Sequence, residues 1–207
     1  MDVQQAYDTW SATYDADENL TRDLDRTVTK TILGDLRCLS VLEVGCGTGK
    51  NTPFLAKIGD VVTAVDFSAG MIAQAKAKIS AQNVTFQVAD ITQAWPTADA
   101  AFDLIICNLI LEHIEDLGFI FAEASRSLAA DGRLFISELH PFRQYLGGKA
   151  RFQQGEETTF IPAHIHHASD FLTAAKANGL NLLALDEWWH EQDEDSPPRL
   201  ITFLFQK

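Results

Sequence analysis

No apolar run in the sequence approaches the ~20 residues that a bilayer-spanning helix needs, so no membrane segment is expected. Cysteine is scarce and odd in number. Cys38, Cys46 and Cys107 show no CxxC spacing, which points to free thiols in a reducing compartment and not to a disulfide framework. The opening Met1-Asp2-Val3-Gln4-Gln5 lacks the basic then apolar run of a secretory signal, and a cytoplasmic location is the expectation. Positive charge is also in short supply: 16 Lys and Arg stand against 29 Asp and Glu, a formal net charge of −13. Binding a polyanion normally takes a Lys/Arg patch, and the chain has none, so nucleic acid is not an expected partner. The densest charge run, Asp186 to Asp195, is acidic and reads as a solvated loop.

What is present is an alternation of hydrophobic periods. Residues 1–36 read as an amphipathic helical cap, with Leu20, Leu24, Val28, Ile32 and Leu36 at four-residue steps and Thr21 and Asp23 placed to start the helix. Strands follow at Val41–Val44, Val61–Val65, Val84–Val88, Phe102–Cys107 and Arg133–Glu138, separated by helices near Asn51–Ile58, Ala69–Ser80 and Leu117–Leu128. That order predicts an α/β fold with a parallel sheet and helices on both faces, in a single domain over residues 1–207. Residues 141–167, with Gly147, Gly148, Gly155 and Pro162, break the pattern and read as an insertion on the substrate side. After a helix at Ser169–Asn178, two strands, Leu182–Trp188 and Leu200–Phe205, follow with no helix between them. Such strands pair antiparallel if adjacent.

The first strand runs directly into Gly45-Cys46-Gly47-Thr48-Gly49 and then a helix. Gly45 permits a tight turn, while Gly47 and Gly49 let a cofactor approach the backbone. Asp66 ends the second strand, where a carboxylate can accept both hydroxyls of an adenosine ribose. Asp90 ends the third, within reach of an adenine amino group, with Ile91 beside it to cover the ring. A dinucleotide site usually has G-x-G-x-x-G spacing to seat a pyrophosphate. Here the third Gly comes one residue early and Glu43 sits two residues before the loop, which suits a cationic amino group or sulfonium. S-adenosylmethionine carries both.

Val41-Leu42-Glu43-Val44-Gly45-Cys46-Gly47-Thr48-Gly49 resembles motif I of the class I S-adenosylmethionine-dependent methyltransferases. Val65-Asp66-Phe67-Ser68-Ala69-Gly70-Met71-Ile72 is similar to their stretch after strand two, and Phe102–Asn108 with Leu111-Glu112-His113-Ile114 to their strand-four motif. Leu128–Leu134 departs from them, with Asp131-Gly132 where the family usually has Pro-Gly-Gly. The resemblance implies a Rossmann-like, doubly wound seven-stranded sheet, mostly parallel with the last strand antiparallel. It also implies cofactor contacts at Gly45, Gly47, Asp66, Phe67, Met71, Asp90, Ile91 and Asn108, alongside Glu43. Trp10 and Tyr14-Asp15 look like the family's aromatic segment that folds over the cofactor, which adds Tyr14.

The expected acceptor is a small molecule, and the protein a monomer or homodimer. The chain has Asn108-Leu109-Ile110-Leu111 where nucleobase amino methyltransferases carry an Asn/Asp-Pro-Pro-aromatic motif, and Cys107 follows Ile106 where a pyrimidine-carbon enzyme needs Pro-Cys. His140, just past a strand's carboxyl end, and His167 are the candidate general bases. Both have a competing role in capping or packing, as does His113. His164-x-His166-His167 has no adjacent Cys or carboxylate, so no metal is expected. Trp188-Trp189 reads as split between core and surface. Phe142, Tyr145, Phe152 and Phe160 are candidates to cover an acceptor. Two other readings compete. One is a module that binds S-adenosylmethionine without catalysis. The other is an NAD(P)-dependent short-chain dehydrogenase, suggested by Tyr145-Leu146-Gly147-Gly148-Lys149, whose paired glycines would cost such a helical turn roughly 2 kcal/mol.

Overall fold

Side chains that alternate along the central strands decide which helices cover each face of the sheet. The computed structural model describes residues 3–148, 150–154 and 157–207. Its seven-stranded sheet runs in the order β3 (Val84–Val88), β2 (Gly59–Asp66), β1 (Cys38–Val44), β4 (Phe102–Asn108), β5 (Leu128–Leu139), β9 (Leu200–Gln206) and β8 (Asn181–Trp188). Val41, Leu104, Ile106 and Phe135 point to one face, where they meet Leu33 of α2 (Leu20–Leu33) and Leu55 and Ile58 of α3 (Thr52–Ile58). Leu42, Ile105, Cys107, Leu134 and Ile136 point to the other, beneath α5 (Leu117–Ser127) and α7 (Ala168–Ala177). There Phe203 stacks on Phe171 with ring centroids 4.8 Å apart, and Phe205 meets Phe121 edge-on at 5.7 Å. Each such ring contributes roughly 1.5–3 kcal/mol by its burial.

Pairing is parallel from β3 through β5, and β9 runs antiparallel to both β5 and β8. Strand order reverses between β1 and β4, which opens a crevice at their carboxyl ends. Helix α4 (Ala69–Lys78) begins where the Ser68 hydroxyl accepts the Met71 amide at 3.0 Å, and it buries Met71, Ile72 and Ala75 against the sheet.

Several sequence expectations need correction. Residues 1–36 hold two helices, α1 (Val3–Trp10) and α2. Asn19 starts α2, its side chain accepting the Arg22 amide at 3.1 Å, so neither Thr21 nor Asp23 is the cap. The 141–167 segment is not without structure: it forms a short helix, α6 (Pro141–Tyr145), and a hairpin of β6 (Arg151–Gln154) with β7 (Glu157–Phe160). Helix α6 stops at Tyr145 and Gly147 takes a left-handed φ of 90°, so the turn that a Tyr-x-x-x-Lys pair requires does not continue from Tyr145. Lys149 and Gly155 lie outside the described residues, as does the side chain of Phe152. Trp188 is half-buried and donates to Thr202 Oγ1 at 2.9 Å, while Trp189 is 49% exposed, the split that the sequence suggests.

The acidic run is not simply solvated. Asp193 is buried, and its carboxylate pairs with Arg199 and, at 2.7 Å, with Arg143 Nη2. Burial alone would raise its pKa, but bonds from Arg199, the His190 amide and Arg143 outweigh that and hold it at about 2. Asp193→Ala is therefore expected to destabilise the protein by about 3 kcal/mol, because it strands two arginines beside an empty buried position. Urea denaturation measures this. A loss below about 0.5 kcal/mol, the usual effect of a surface change, would return the run to a solvated loop.

Candidate active site

The loop after β1 is pinned from β2. The amides of Gly45 and Cys46 both donate to the Val65 carbonyl, at 2.8 and 3.0 Å. Gly45 has φ +70°, and a Cβ there would lie 2.3 Å from Ile110 Cγ2, so no larger residue fits. Gly49 corrects an expectation: it does not line the cavity, and a Cβ on it would instead meet Ile79 Cδ1 at 2.4 Å. Its role is close packing against the end of α4.

A cavity of about 340 Å³ opens at the crevice between β1 and β4, within the size range of cofactor sites. Tyr14, Glu43, Gly45, Gly47, Asp66, Phe67, Met71, Asp90, Ile91 and Asn108 all line it, so the structure brings these ten sequence candidates together. Asp66 accepts the Gly47 amide at 2.8 Å and the Ser68 amide at 2.9 Å. Burial raises its pKa to about 6 against the pull of those two amides, with Asp8 raising it further. Glu43 accepts from Thr52 Oγ1 at 2.5 Å, and burial, aided by Asp25 and Asp66, pushes its pKa up to about 8. Asp90 accepts from both the amide and the hydroxyl of Thr92.

Sequence reasoning missed Asp25. It is a buried carboxylate on α2 that accepts from Asn51 Nδ2 at 2.9 Å and Asn108 Nδ2 at 2.7 Å, and burial raises its pKa. The available signal was a polar pair, Asp25 and Thr29, one step behind the apolar Leu24 and Val28, and Thr29 Oγ1 also binds Asn108 at 2.8 Å. Arg22 was missed as well. Its guanidinium lies 4.1 Å from the Tyr14 ring centroid and donates to the Tyr14 and Asp17 carbonyls. Tyr7 completes the omissions, and its partner is His113, which the sequence marks chiefly for a capping or packing role. Tyr7 donates or accepts at His113 Nε2 across 2.8 Å, and both residues face the cavity.

A second cavity, about 960 Å³, adjoins the first and shares Tyr7, Tyr14, Arg22 and Leu109 with it. The N-terminal segment supplies Trp10 and Asp17 to its wall, and the 141–167 segment supplies Arg143, Leu146 and Gly147.

The two histidines expected as bases line neither cavity. His140 does follow β5, but Pro141 starts α6 there and draws the imidazole back as its cap. His140 Nδ1 accepts the Phe142 amide at 3.1 Å, which leaves Nε2 to donate to Glu187 at 2.9 Å. His167 is exposed at the start of α7, with Nε2 3.0 Å from the Tyr145 hydroxyl. Among the described residues no group of His, Cys, Asp and Glu could hold a metal ion, and no helix is long and apolar enough to cross a membrane.

Residues 42–136 match the family model of the methyltransferase domain. A ubiquinone biosynthesis O-methyltransferase of Coxiella burnetii is 35% identical over 151 residues, which cover 69% of this chain and 64% of that relative. The chain thus spans less than two thirds of that curated relative's length. In shape it is similar to an S-adenosylmethionine dependent methyltransferase from Mesorhizobium loti, at a TM-score of 0.76 and 18% identity over 91% of this chain and all of the other. It is likewise similar to the N-methyltransferase NodS of Bradyrhizobium japonicum, solved with S-adenosyl-L-homocysteine, at 0.75 and 19% over 100% of this chain and 99% of the other. Residues 42–136 are thus a methyltransferase domain, and the chain has the fold of the S-adenosylmethionine-dependent methyltransferases it is similar to.

The raised carboxyls set a pH dependence. Glu43 and Glu138 rise from 4.5 to about 8, so the folded state holds protons that the unfolded chain has released. The stability they contribute is full below about 4.5 and is lost as pH climbs toward about 8. Melting temperature of the free protein should fall across that window, and Glu43→Gln should remove part of the slope while Glu138 keeps the rest. An unchanged slope in the variant would mean that Glu43 is ionised at neutral pH.

Proposed function

We propose that the chain transfers the methyl group of S-adenosylmethionine to a small-molecule acceptor, with the cofactor in the smaller cavity and the acceptor in the larger. The observation that carries this reading is the convergence of Glu43, Asp66, Asp90 and Asn108, from the ends of four parallel strands, on one cavity. Asp66 is placed to accept the ribose hydroxyls, Asp90 and Ile91 to hold the adenine, and Tyr14 to cover the cofactor. Glu43 and Asp25, whose carboxyls burial holds toward the protonated form in the empty site, would ionise against the amino group and sulfonium of the bound cofactor. The same carboxylates would repel a pyrophosphate, which speaks against a dinucleotide.

The sulfonium is already a good leaving group, so aligning acceptor, methyl and sulfur supplies most of the rate. The chain's relatives named as O-methyltransferases, its acidic net charge and its lack of a basic patch favour a small metabolite over nucleic acid. A cytoplasmic monomer or homodimer fits this reading. An inactive binding module differs only in turnover, and label transfer from S-adenosylmethionine to any acceptor decides between them.

Calorimetry tests the cofactor. S-adenosylhomocysteine should bind in the micromolar range, roughly −8 kcal/mol, and NADH should not. Asp66→Ala should weaken that binding at least about tenfold, since bonds to a charged acceptor contribute about 1.5–3 kcal/mol each. NADH binding without S-adenosylhomocysteine binding overturns the reading, and unchanged affinity in a folded Asp66→Ala protein overturns the ribose assignment.

A further inference from the structure

We propose that Tyr7 and His113 form the route by which the acceptor's proton leaves, and that the acceptor presents a hydroxyl to the Tyr7 oxygen. The inference rests on the methyl-transfer reading above.

Proton bookkeeping fixes the dyad. His113 Nδ1 lies 2.8 Å from the Pro162 carbonyl oxygen, which can only accept, so Nδ1 carries the hydrogen. His113 Nε2 is then an acceptor, and the Tyr7 hydroxyl at 2.8 Å must donate to it. With its hydrogen committed, the Tyr7 oxygen has only lone pairs to offer a bound molecule. A group that meets it must be a donor, which disfavours an ionised carboxylate.

Position supports the same assignment. Tyr7 lines both cavities, so it stands where cofactor and acceptor meet, and His113 lines the smaller one. The Tyr7 ring is held by Trp10 at 5.8 Å, Phe67 at 6.1 Å and Tyr14 at 6.4 Å between centroids. Gln4 Nε2 donates to the Phe67 carbonyl at 2.8 Å and keeps α1 over the site. Burial, with Tyr14, Glu112, Asp66 and Glu138 nearby, raises the Tyr7 pKa well above its ordinary value. Tyr7 therefore does not act as a standing phenolate; it relays.

A neutral amine attacks with the lone pair it already has and can shed its proton afterwards. A hydroxyl is a poor nucleophile until its proton is being removed, and that is where a positioned base helps. In the proposed step the acceptor oxygen–methyl bond forms as the methyl–sulfur bond breaks, and that electron pair stays on sulfur. The acceptor proton moves to the Tyr7 oxygen while the Tyr7 proton moves to His113 Nε2. The products are a methyl ether, a neutral thioether and an imidazolium, so the single positive charge passes from sulfur to His113. Glu112 Oε1, buried and 3.8 Å from Nε2, faces that new charge. Tyr7 is the catalytic residue here, and His113 acts through it.

The test uses wild type, Tyr7→Phe and His113→Gln with labelled S-adenosylmethionine, catechol as the hydroxyl probe and aniline as the amine probe. Glutamine can still accept the Tyr7 hydrogen but has no basic nitrogen. Both variants should lose about 10²-fold in kcat for catechol, with KM and S-adenosylhomocysteine affinity within about threefold of wild type. Nitrogen NMR of the free protein should place the His113 proton on Nδ1. Full kcat in the variants, a loss of cofactor affinity that parallels the loss of kcat, or an Nε2-protonated ring each overturns the relay. Binding of S-adenosylhomocysteine with methylation of aniline alone, or of neither probe, overturns the hydroxyl assignment and leaves the methyl-transfer reading standing. Absence of S-adenosylhomocysteine binding overturns that reading, and the relay with it.

Discussion

Asp66 ties three strand ends together at the carboxyl edge of the sheet. Its carboxylate receives the amides of Gly47 and Ser68, which fixes the glycine loop after β1 and the first turn of α4 to the same two oxygens. Its own carbonyl receives the Ala89 amide at 2.9 Å, which sets Asp90 after β3. The Val65 carbonyl beside it holds the amides of Gly45 and Cys46. The floor of the smaller cavity is thus built from backbone amides referred to one point. That explains why residues far apart in sequence converge on it.

The arrangement has an electrostatic cost. Asp25, Glu43 and Asp66 are buried around one cavity, and burial raises the pKa of all three. Arg22 is the buried cation among them, and its hydrogen bonds go to backbone carbonyls. Such a site is less stable empty than a neutral one of the same shape, and a bound cation offsets the deficit. Asp193 differs, since Arg143 and Arg199 bring that buried carboxylate its own cationic partners.

The legible parts of the molecule were those where local chemistry decides. Continuous apolar runs gave the strands, and the glycine loop, Asp66 and Asp90 fell at the ends of β1, β2 and β3 because a strand's end is a local fact. What was not legible depends on contacts distant in sequence. Asp25 is 83 residues from the Asn108 it binds, and Tyr7 is 106 from His113. His140 was placed correctly after β5, but whether its imidazole faces a cavity depends on Glu187, 47 residues on, and on the helix that Pro141 begins. His113 was visible within the strand-four motif. Its partners, Tyr7 and the Pro162 carbonyl, come from α1 and from the 141–167 segment, which sequence periodicity left without structure. The α6 helix and the hairpin escaped for the same reason: each is four or five residues long, too short to display a period.

These two themes meet in how the site would treat substrate and product. An acid-lined cavity favours a sulfonium over a neutral thioether, so the proposed reaction weakens the cofactor's hold at the moment the methyl leaves. The positive charge does not vanish; it moves toward His113, where Glu112 replaces the carboxylates of the cofactor side as its neighbour. Resetting the site then requires only that His113 release one proton. The Pro162 carbonyl that fixes the tautomer belongs to the 141–167 segment, and the same segment lines the acceptor cavity. A shift of that segment on product release would both open the cavity and loosen the bond that orients His113. The wall of the larger cavity and the bond that orients His113 thus come from one stretch of chain.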